Sequence, residues 1–391
     1  MKPVYVASLF LLIGGVAKAV YAPIPEAAKG KALMVSLGGG VGYDSNIFGA
    51  ATNEIESMVW RIAPAISYNA SLTDQTFFSA AYDLAFDYVE DRPQNQELFS
   101  HNAMVRLAHA FSPRTSIDLV ENFSIAENPE SLLAGVPLNT DQSFKRNQFD
   151  GRLVTALSER LGLTVKGRSV VYAYDNDNLA DDLDRAETLL GLEGELTVRP
   201  GLQAVGEYRY QDISYAEAGG AKNKESHFLL AGADYAVAET VSASARLGVE
   251  FRQRAGAEDT EAPYVELSGR RALGENGFVA AGFVYTLEEA SNVSLYTDTE
   301  VRRWFVNAQY PLSARIVLSG MLTYEPSVLQ GRPGVNDDTD ETTVRAGAAV
   351  SYLAAKGWLV SLTADQDSVY SDDANRDLER TRFGVNARRD F

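Results

Sequence analysis

Histidine can take part in more kinds of catalysis than the other residue types present, and the sequence has three histidines. None of them has the neighbouring residues that catalysis requires. His101 and His109 are an even number of positions apart, so on one strand they would share a face. His109 has Val105 on that face, which indicates a structural or surface position. His227 follows Ser226, but no Asp or Ser pattern around it suggests a hydrolytic triad. The sequence therefore predicts a protein that is not an enzyme.

Acidic residues supply two further candidates. Asp83 and Asp87 would lie on one face of a strand, as a carboxylate pair or as wall charges balanced by basic neighbours, and the second interpretation is favoured. The run Asp175-Asn-Asp-Asn178 resembles part of a calcium loop but lacks its glycine and terminal glutamate. We expect a solvated acidic loop with weak divalent binding at most, and neither a metal site nor a cofactor.

The stretch Ser36–Tyr43 reads SLGGGVGY and superficially resembles a phosphate-binding glycine loop. No Lys-Ser or Lys-Thr pair follows it, and it lacks a helical pattern, so it fails the structural test for such a loop. On a strand, Gly38, Gly40 and Gly42 would share the inner face. There they would leave room for a plug, a neighbouring loop or bulky side chains opposite.

Composition narrows the partners and the compartment. The 391-residue chain has no Cys, which excludes disulfides, thiolate nucleophiles and Cys-ligated metals. Its formal net charge of -18 argues against nucleic acid as a partner, since phosphate binding needs clustered Lys and Arg.

The N-terminus is typical of an exported protein. Lys2 precedes an apolar run that is too short to span a membrane as a helix, and small residues end it at Ala19. We therefore expect residues 1–19 to be a cleaved signal peptide, 20–31 a short periplasmic segment and 32–391 one domain. Past the signal peptide, no apolar run approaches the roughly 18 residues of a membrane helix.

The element that must position every candidate residue is a strand of alternating polarity. One face of 241–252 is apolar and the other carries Arg246, Glu250 and Arg252. Such segments recur along the chain and predict about eighteen strands, with sixteen to eighteen as the range. We place them near 32–43, 56–70, 75–89, 98–111, 114–126, 144–159, 161–175, 184–198, 201–214, 223–237, 239–253, 261–272, 276–287, 298–310, 313–325, 340–354, 357–370 and 376–391.

Strands of alternating polarity occur in two kinds of architecture. One is a soluble sandwich or solenoid, and the other is a transmembrane barrel. The segments are longer than the usual five or six residues of soluble strands. Aromatic residues collect towards the ends of the apolar faces, as Trp60 and Tyr68 do, and charges such as Arg209 stand at mid-strand on the other face. These features favour an all-β, antiparallel up-and-down barrel in a bacterial outer membrane, with outer-membrane lipid and lipopolysaccharide around it.

Turn lengths predict the orientation of the barrel. Links that are short, such as Ser112–Pro113, alternate with long ones such as 127–143, and short turns belong to the periplasmic side. An even strand number then places the N- and C-termini in the periplasm. The loop 127–143 is the longest and the most apolar, so it is a candidate to fold inward as a constriction.

Two short motifs carry a family resemblance. Gly40-Val-Gly-Tyr-Asp-Ser-Asn-Ile-Phe48 resembles the opening of the β-barrel porin type 2 family, whose first mature strand runs into a Tyr-Asp-Ser-Asn turn. The last strand ends on Phe391, which matches the signal by which barrel-assembly machinery recognises such proteins, whereas Arg389 departs from the aromatic or aliphatic residue usual there. The resemblance implies passage of small solutes or polymers, with exopolysaccharide-export components as partners. It transfers no catalytic residues.

A barrel of this size leaves an aqueous lumen unless something fills it, so the main hypothesis is a porin-like channel. Mixed charges on its wall predict weak ion selectivity, and inverting Arg209 or Arg246 is expected to move the reversal potential. The alternatives are a non-conducting barrel that binds partners of a secretion or surface-polymer system, and a hydrolase whose activity would depend on His227. The predicted pore-lining residues are Asp83, Asp87, Arg106, Arg152, Lys166, Arg168, Glu193, Glu207, Arg209, Arg246, Glu250, Arg252, Arg303, Arg315, Arg345 and Arg388.

Overall fold

The computed structural model describes residues 32–127, 143–216, 222–274, 276–290 and 294–391. Within these ranges the chain forms eighteen strands and one short helix. The strands are β1 Leu33–Asp44, β2 Ser57–Thr73, β3 Thr76–Val89, β4 Glu97–Ser112, β5 Thr115–Ala126, β6 Phe144–Ala156, β7 Leu161–Tyr174, β8 Arg185–Arg199, β9 Leu202–Tyr215, β10 Lys224–Ala238, β11 Val241–Arg254, β12 Thr260–Leu273, β13 Gly277–Glu289, β14 Tyr296–Pro311, β15 Ile316–Gly331, β16 Thr339–Ala355, β17 Trp358–Ser371 and β18 Leu378–Asp390.

The predicted fold class and all eighteen predicted strands are confirmed. The link expected at 176–183 is not entirely irregular, because Asp177–Leu183 forms the helix α1. Leu179 and Leu183 of this helix pack against Tyr174 at the end of β7. A seven-residue helix has too little periodicity to be recognised in a run of acidic residues, and its packing against the wall is what stabilises it.

Each strand pairs antiparallel with the next, and β1 pairs with both β2 and β18, so the sheet closes on itself. The closing register runs from Ser36 opposite Asp390 to Asp44 opposite Arg382. Closure leaves no strand edge unpaired, which is the condition for a sheet to lie in lipid. The ends of the strands form two rims, here named the short-turn rim and the long-loop rim. Leu33 and Asp390, at the ends of the described wall, both lie at the short-turn rim.

The seam between β1 and β18 depends on a close approach at Gly40. A Cβ atom there would lie 2.1 Å from Asn386 Oδ1 and 2.8 Å from the carbonyl oxygen of Val385. The expectation that the inner-face glycines make room for a bulky neighbour is therefore confirmed at this position. A buried ion pair between Arg380 and Asp44 closes the same seam near the long-loop rim.

The outer face of the wall is apolar and rich in aromatic rings. Trp60 and Phe383 are more than half exposed, at 52% and 55%, as side chains in contact with lipid would be. Trp304 stands between Phe283 and Tyr324, with ring centroids 4.7 and 5.8 Å apart. This arrangement matches the aromatic girdle of a transmembrane barrel. Within the described ranges, no helix has both the length and the apolar character needed to cross a bilayer.

The three histidines all lie on this outer face rather than at a catalytic centre. His101 and His227 each contact a tyrosine hydroxyl, of Tyr82 and Tyr208, at 2.8 Å. His109 packs edge-on against the ring of Phe111, with the centroids 4.7 Å apart. Their environment is that of a polar group set into an aromatic girdle.

The seam gives the first prediction. Gly40→Val should prevent β1 from pairing fully with β18, because the new side chain meets a backbone oxygen that cannot move aside, at a cost of about 1–3 kcal/mol or more. The folded fraction is measured by heat-modifiable migration on a gel after refolding into detergent. Gly39→Val is the matched control, since a Cβ at Gly39 meets its nearest atom, the Arg61 carbonyl oxygen, at an ordinary 3.6 Å. Equal folding of the two variants would contradict this account of the seam.

Candidate functional site

The structure places nearly all of the predicted pore-lining residues on the inner face, because they alternate with exposed apolar side chains along their strands. These residues are Asp83, Asp87, Arg106, Arg152, Lys166, Arg168, Glu193, Glu207, Arg209, Arg246, Glu250, Arg252, Arg303, Arg345 and Arg388. Arg315 is the exception. It lies in the exposed turn before β15, because that strand begins at Ile316 rather than at residue 313.

Neighbouring strands neutralise each other's charges along the wall. Arg61 on β2 donates to both carboxylate oxygens of Asp87 on β3, at 2.6 and 2.7 Å. Arg168 on β7 donates to Asp150 on β6 at 2.6 Å. Ion pairs between adjacent strands explain why the inner face tolerates so many ionised groups. It also favours the interpretation of Asp87 as a balanced wall charge.

A continuous charge network lies on β7 to β9. The Lys166 ammonium group lies 3.0 Å from Glu193 and 3.1 Å from Glu207. Arg209 binds the same Glu207 at 2.8 Å, and its guanidinium group lies over the ring of Tyr264. These partners hold the side chains against the wall and reduce the field that they project into the lumen.

Arg246 on β11 continues this network. It binds Asp234 at 2.9 Å and is only 6% exposed. By contrast, within the described ranges Arg152 on β6 and Arg345 on β16 form no hydrogen bond or ion pair. Their strands lie ten positions apart one way and eight the other in the ring of eighteen, so the two cations belong to opposite sides of the wall.

The long-loop end of the β13–β14 hairpin bends into the lumen. Ala290 and Tyr296 at this end form a buried cluster with Ile213 and Tyr215 of β9 and with Leu329 of β15. Since β9 lies four strands away from β13, this contact spans part of the lumen rather than following the wall. The hydroxyl of Tyr215 also donates a hydrogen bond to Glu289, the last residue of β13.

A buried ion cluster fixes the bent hairpin. Lys224 on β10 lies 2.9 Å from Glu289 and 3.1 Å from Asp298 of the hairpin. Arg252 on β11 also binds Asp298, and Arg254 Nε lies 2.8 Å from Asp298 Oδ2. Asp298 is fully buried and Arg252 is 2% exposed, so removing one partner leaves an uncompensated charge at a cost of about 3–5 kcal/mol.

A second contact joins loops over the mouth of the lumen. Asp182 of α1 accepts hydrogen bonds from Lys222, before β10, and from Ser294, before β14. Burial alone would raise the pKa of Asp182, but these hydrogen bonds and the Lys222 charge hold it below its usual value. A lowered pKa means that the stabilisation is complete at neutral pH and is lost only as the pH falls through this lowered pKa.

Sequence reasoning selected Arg252 but missed its partners in the hairpin, Glu289 and Asp298. The available signal was the polar run Tyr296-Thr-Asp-Thr-Glu300, which carries charges ahead of the apolar alternation of β14. Among the residues that the structure describes, no three His, Asp or Glu side chains come together as a metal site. The proposed constriction in loop 127–143 falls mostly on 128–142, outside the described residues, as do the segments 1–19 and 20–31.

Comparison with solved structures identifies the fold. A BenF-like porin from Pseudomonas fluorescens Pf-5 aligns with a TM-score of 0.50 and 10% identity, covering 92% of this chain and 99% of that one. OpdQ from Pseudomonas aeruginosa aligns with a TM-score of 0.50 and 9% identity, covering 92% and 97%. The fold is that of an outer-membrane porin.

No protein-family model matches the sequence, so the resemblance to the type 2 family has no support from such a match. No curated protein matches it either. The structural likeness, at this level of identity, shows the fold. This likeness and the apolar outer face with its aromatic girdle together indicate an outer-membrane β-barrel with a charged lumen.

The ion cluster gives the second prediction. Asp298→Asn should free the β13–β14 hairpin from β10 and β11, because the three cations around residue 298 would lose their shared counter-charge. We expect a lower unfolding temperature and a larger single-channel conductance than in the parent protein. Asp87→Asn is the control, since it removes the same charge from a pair on the wall itself. If the two variants conduct equally, the hairpin does not narrow the lumen.

Proposed function

We propose that the barrel is a passive channel for small polar solutes across the outer membrane, with its short-turn rim in the periplasm. The observation that supports this most directly is the inner face of a closed eighteen-stranded wall, which carries ionised side chains on many of its strands. A wall of this size encloses water unless something fills it, and ionised groups are stable there because water solvates them.

The bent hairpin sets the size of the solute in this proposal. Ala290, Tyr296 and the ion cluster around Asp298 occupy part of the cross-section. A channel narrowed in this way suits small solutes. The passage of a polymer, which the family resemblance implies, would require the hairpin to leave the lumen and break the contacts of Lys224 and Arg252.

Ion preference should come from the charges that lack partners. Paired charges such as Arg246 with Asp234 largely cancel, so weak selectivity is expected overall. Arg152 and Arg345 should add a mild preference for anions. The sequence led to the expectation that charge inversion at Arg209 or Arg246 moves the reversal potential, and their acidic partners Glu207 and Asp234 now reduce the size of that expected effect.

The third prediction tests this assignment. Arg152→Glu combined with Arg345→Glu should move the reversal potential in a salt gradient towards cation preference, because both side chains lie on the inner face and neither forms a contact ion pair in the described part of the wall. It is measured in a planar bilayer across a steep gradient of potassium chloride. Arg271→Glu, an exposed residue on the outer face of β12, serves as the control and should leave the potential unmoved. An unmoved potential in the double variant would remove these residues from the ion path.

A sealed, partner-binding barrel is the second candidate, and the same hairpin favours it. Its clusters with β9 to β11 are buried, as the contacts of a plug would be. Liposome swelling separates the two functions. A channel admits small neutral sugars and excludes large ones, whereas a sealed barrel admits neither although it is correctly folded.

A further inference from the structure

Three cations cluster at the short-turn rim of β15 to β18. Arg315 precedes β15, Lys356 joins β16 to β17, and Arg389 lies near the end of β18, all exposed. The backbone brings them together, since the Leu353 amide donates to the Arg315 carbonyl at 2.8 Å. Trp358, two residues after Lys356, is paired with Arg389.

These cations are not engaged by acidic side chains. Among the described residues, the side chains of Arg315, Lys356 and Arg389 form no ion pair. Asp390, the acid next to Arg389 in the chain, faces the lumen and accepts a hydrogen bond from Arg388 at 2.8 Å. In a protein with a net charge of -18, this sector of the rim is therefore a local exception that attracts anions.

Aromatic rings hold one of the cations at the membrane interface. The Arg389 guanidinium carbon lies 5.4 Å from the centre of the Trp358 ring and 4.8 Å from that of Phe391. Tyr352 of β16 is exposed on the same sector of the outer face, and Tyr310 is exposed beside it on β14. Such rings lie at the level of the lipid headgroups, so Arg389 is presented there rather than in the hydrocarbon.

An apolar groove lies on the same strands, further into the membrane. It has a volume of about 520 Å³, within the roughly 300–1,000 Å³ of ordinary ligand sites. Among its outward side chains are Ala348 of β16, Ala364 of β17, Val385 of β18 and, beyond the seam, Val41 of β1.

The spacing of the groove and the cations fits one kind of molecule. Arg389 and Val385 are both on the outer face of β18, separated by about 13 Å at ~3.3 Å per residue. One leaflet of a bilayer has a hydrocarbon depth of about 15 Å. Ala364, which also lines the groove, pairs with Phe383, six residues or about 20 Å along the strand from Arg389. A strand tilt of about 40° reduces this to a depth of about 15 Å. An acyl chain that starts at the headgroup level beside Arg389 would therefore reach the groove within its own leaflet.

We propose that this sector of the wall is a binding site for an anionic phospholipid. Its phosphodiester group contacts Arg315, Lys356 and Arg389, and one acyl chain lies in the groove over Ala348 and Ala364. This gives Arg389, which departs from the family pattern of the last strand, a role of its own. The lipid would also cover the β1–β18 seam, which forms one side of the groove.

The test is native mass spectrometry of the folded barrel, released from a neutral detergent after incubation with phosphatidylglycerol or with phosphatidylcholine. We expect retention of phosphatidylglycerol in preference to phosphatidylcholine. The triple variant R315Q/K356Q/R389Q should lose this preference, with a fall in affinity of about fivefold per cation, or on the order of 100-fold in all. The variant A348L/A364L, which fills the groove and keeps the cations, should also retain less lipid.

The matched control removes three exposed arginines from other sectors of the same rim, as R114Q/R160Q/R271Q, and should keep the preference. Heat-modifiable migration establishes that each variant is folded. Equal retention of the two lipids, or an equal loss in the control, would overturn the proposal. Displacement of the lipid by glycerol phosphate at equal concentration would also overturn it, because it would show a site for the phosphate group alone.

Discussion

In the hydrocarbon of a membrane, every backbone amide and carbonyl group needs a partner within the protein. Here that constraint is met when β1 pairs with β18, from Ser36 opposite Asp390 to Asp44 opposite Arg382. The absence of a side chain at Gly40 permits the close approach at the seam, and the buried pair of Arg380 and Asp44 fixes it at one end. The lumen, the outer face and both rims depend on this closure.

A closed wall divides the side chains into two environments, and the charges on the inner face follow from that division. Most of them bind a partner one strand away, as Arg61 binds Asp87, so the wall is ionised but nearly balanced. The cluster around Asp298 differs because it joins β10 and β11 to a hairpin that bends inward. Wall pairs maintain the lumen, whereas this buried cluster determines how much of it stays open.

The sequence was sufficient to predict the strands and their inner faces because the side chains of a strand between lipid and water alternate in polarity with a period of two residues. Arg246 and Glu250 could be assigned in this way from their own segment. It was insufficient where contacts join distant segments. Asp298 is buried because a hairpin bends towards Lys224, seventy-four positions away, and α1 is stabilised by Tyr174 rather than by its own periodicity. The alternation of the sequence continues into the turn before β15 and therefore predicts a strand at Arg315. In the structure the Ser313 hydroxyl accepts a hydrogen bond from the backbone amide of Arg315 in that turn.

The central claim is that the wall encloses an aqueous path that the hairpin narrows without closing. Single-channel conductance of the folded, purified protein in a planar bilayer tests it most directly. The account predicts steady current steps that increase in proportion to the salt concentration, with little preference between cation and anion. Protein that inserts, is shown to be folded and carries no current would contradict it, and would mean that the hairpin seals the lumen.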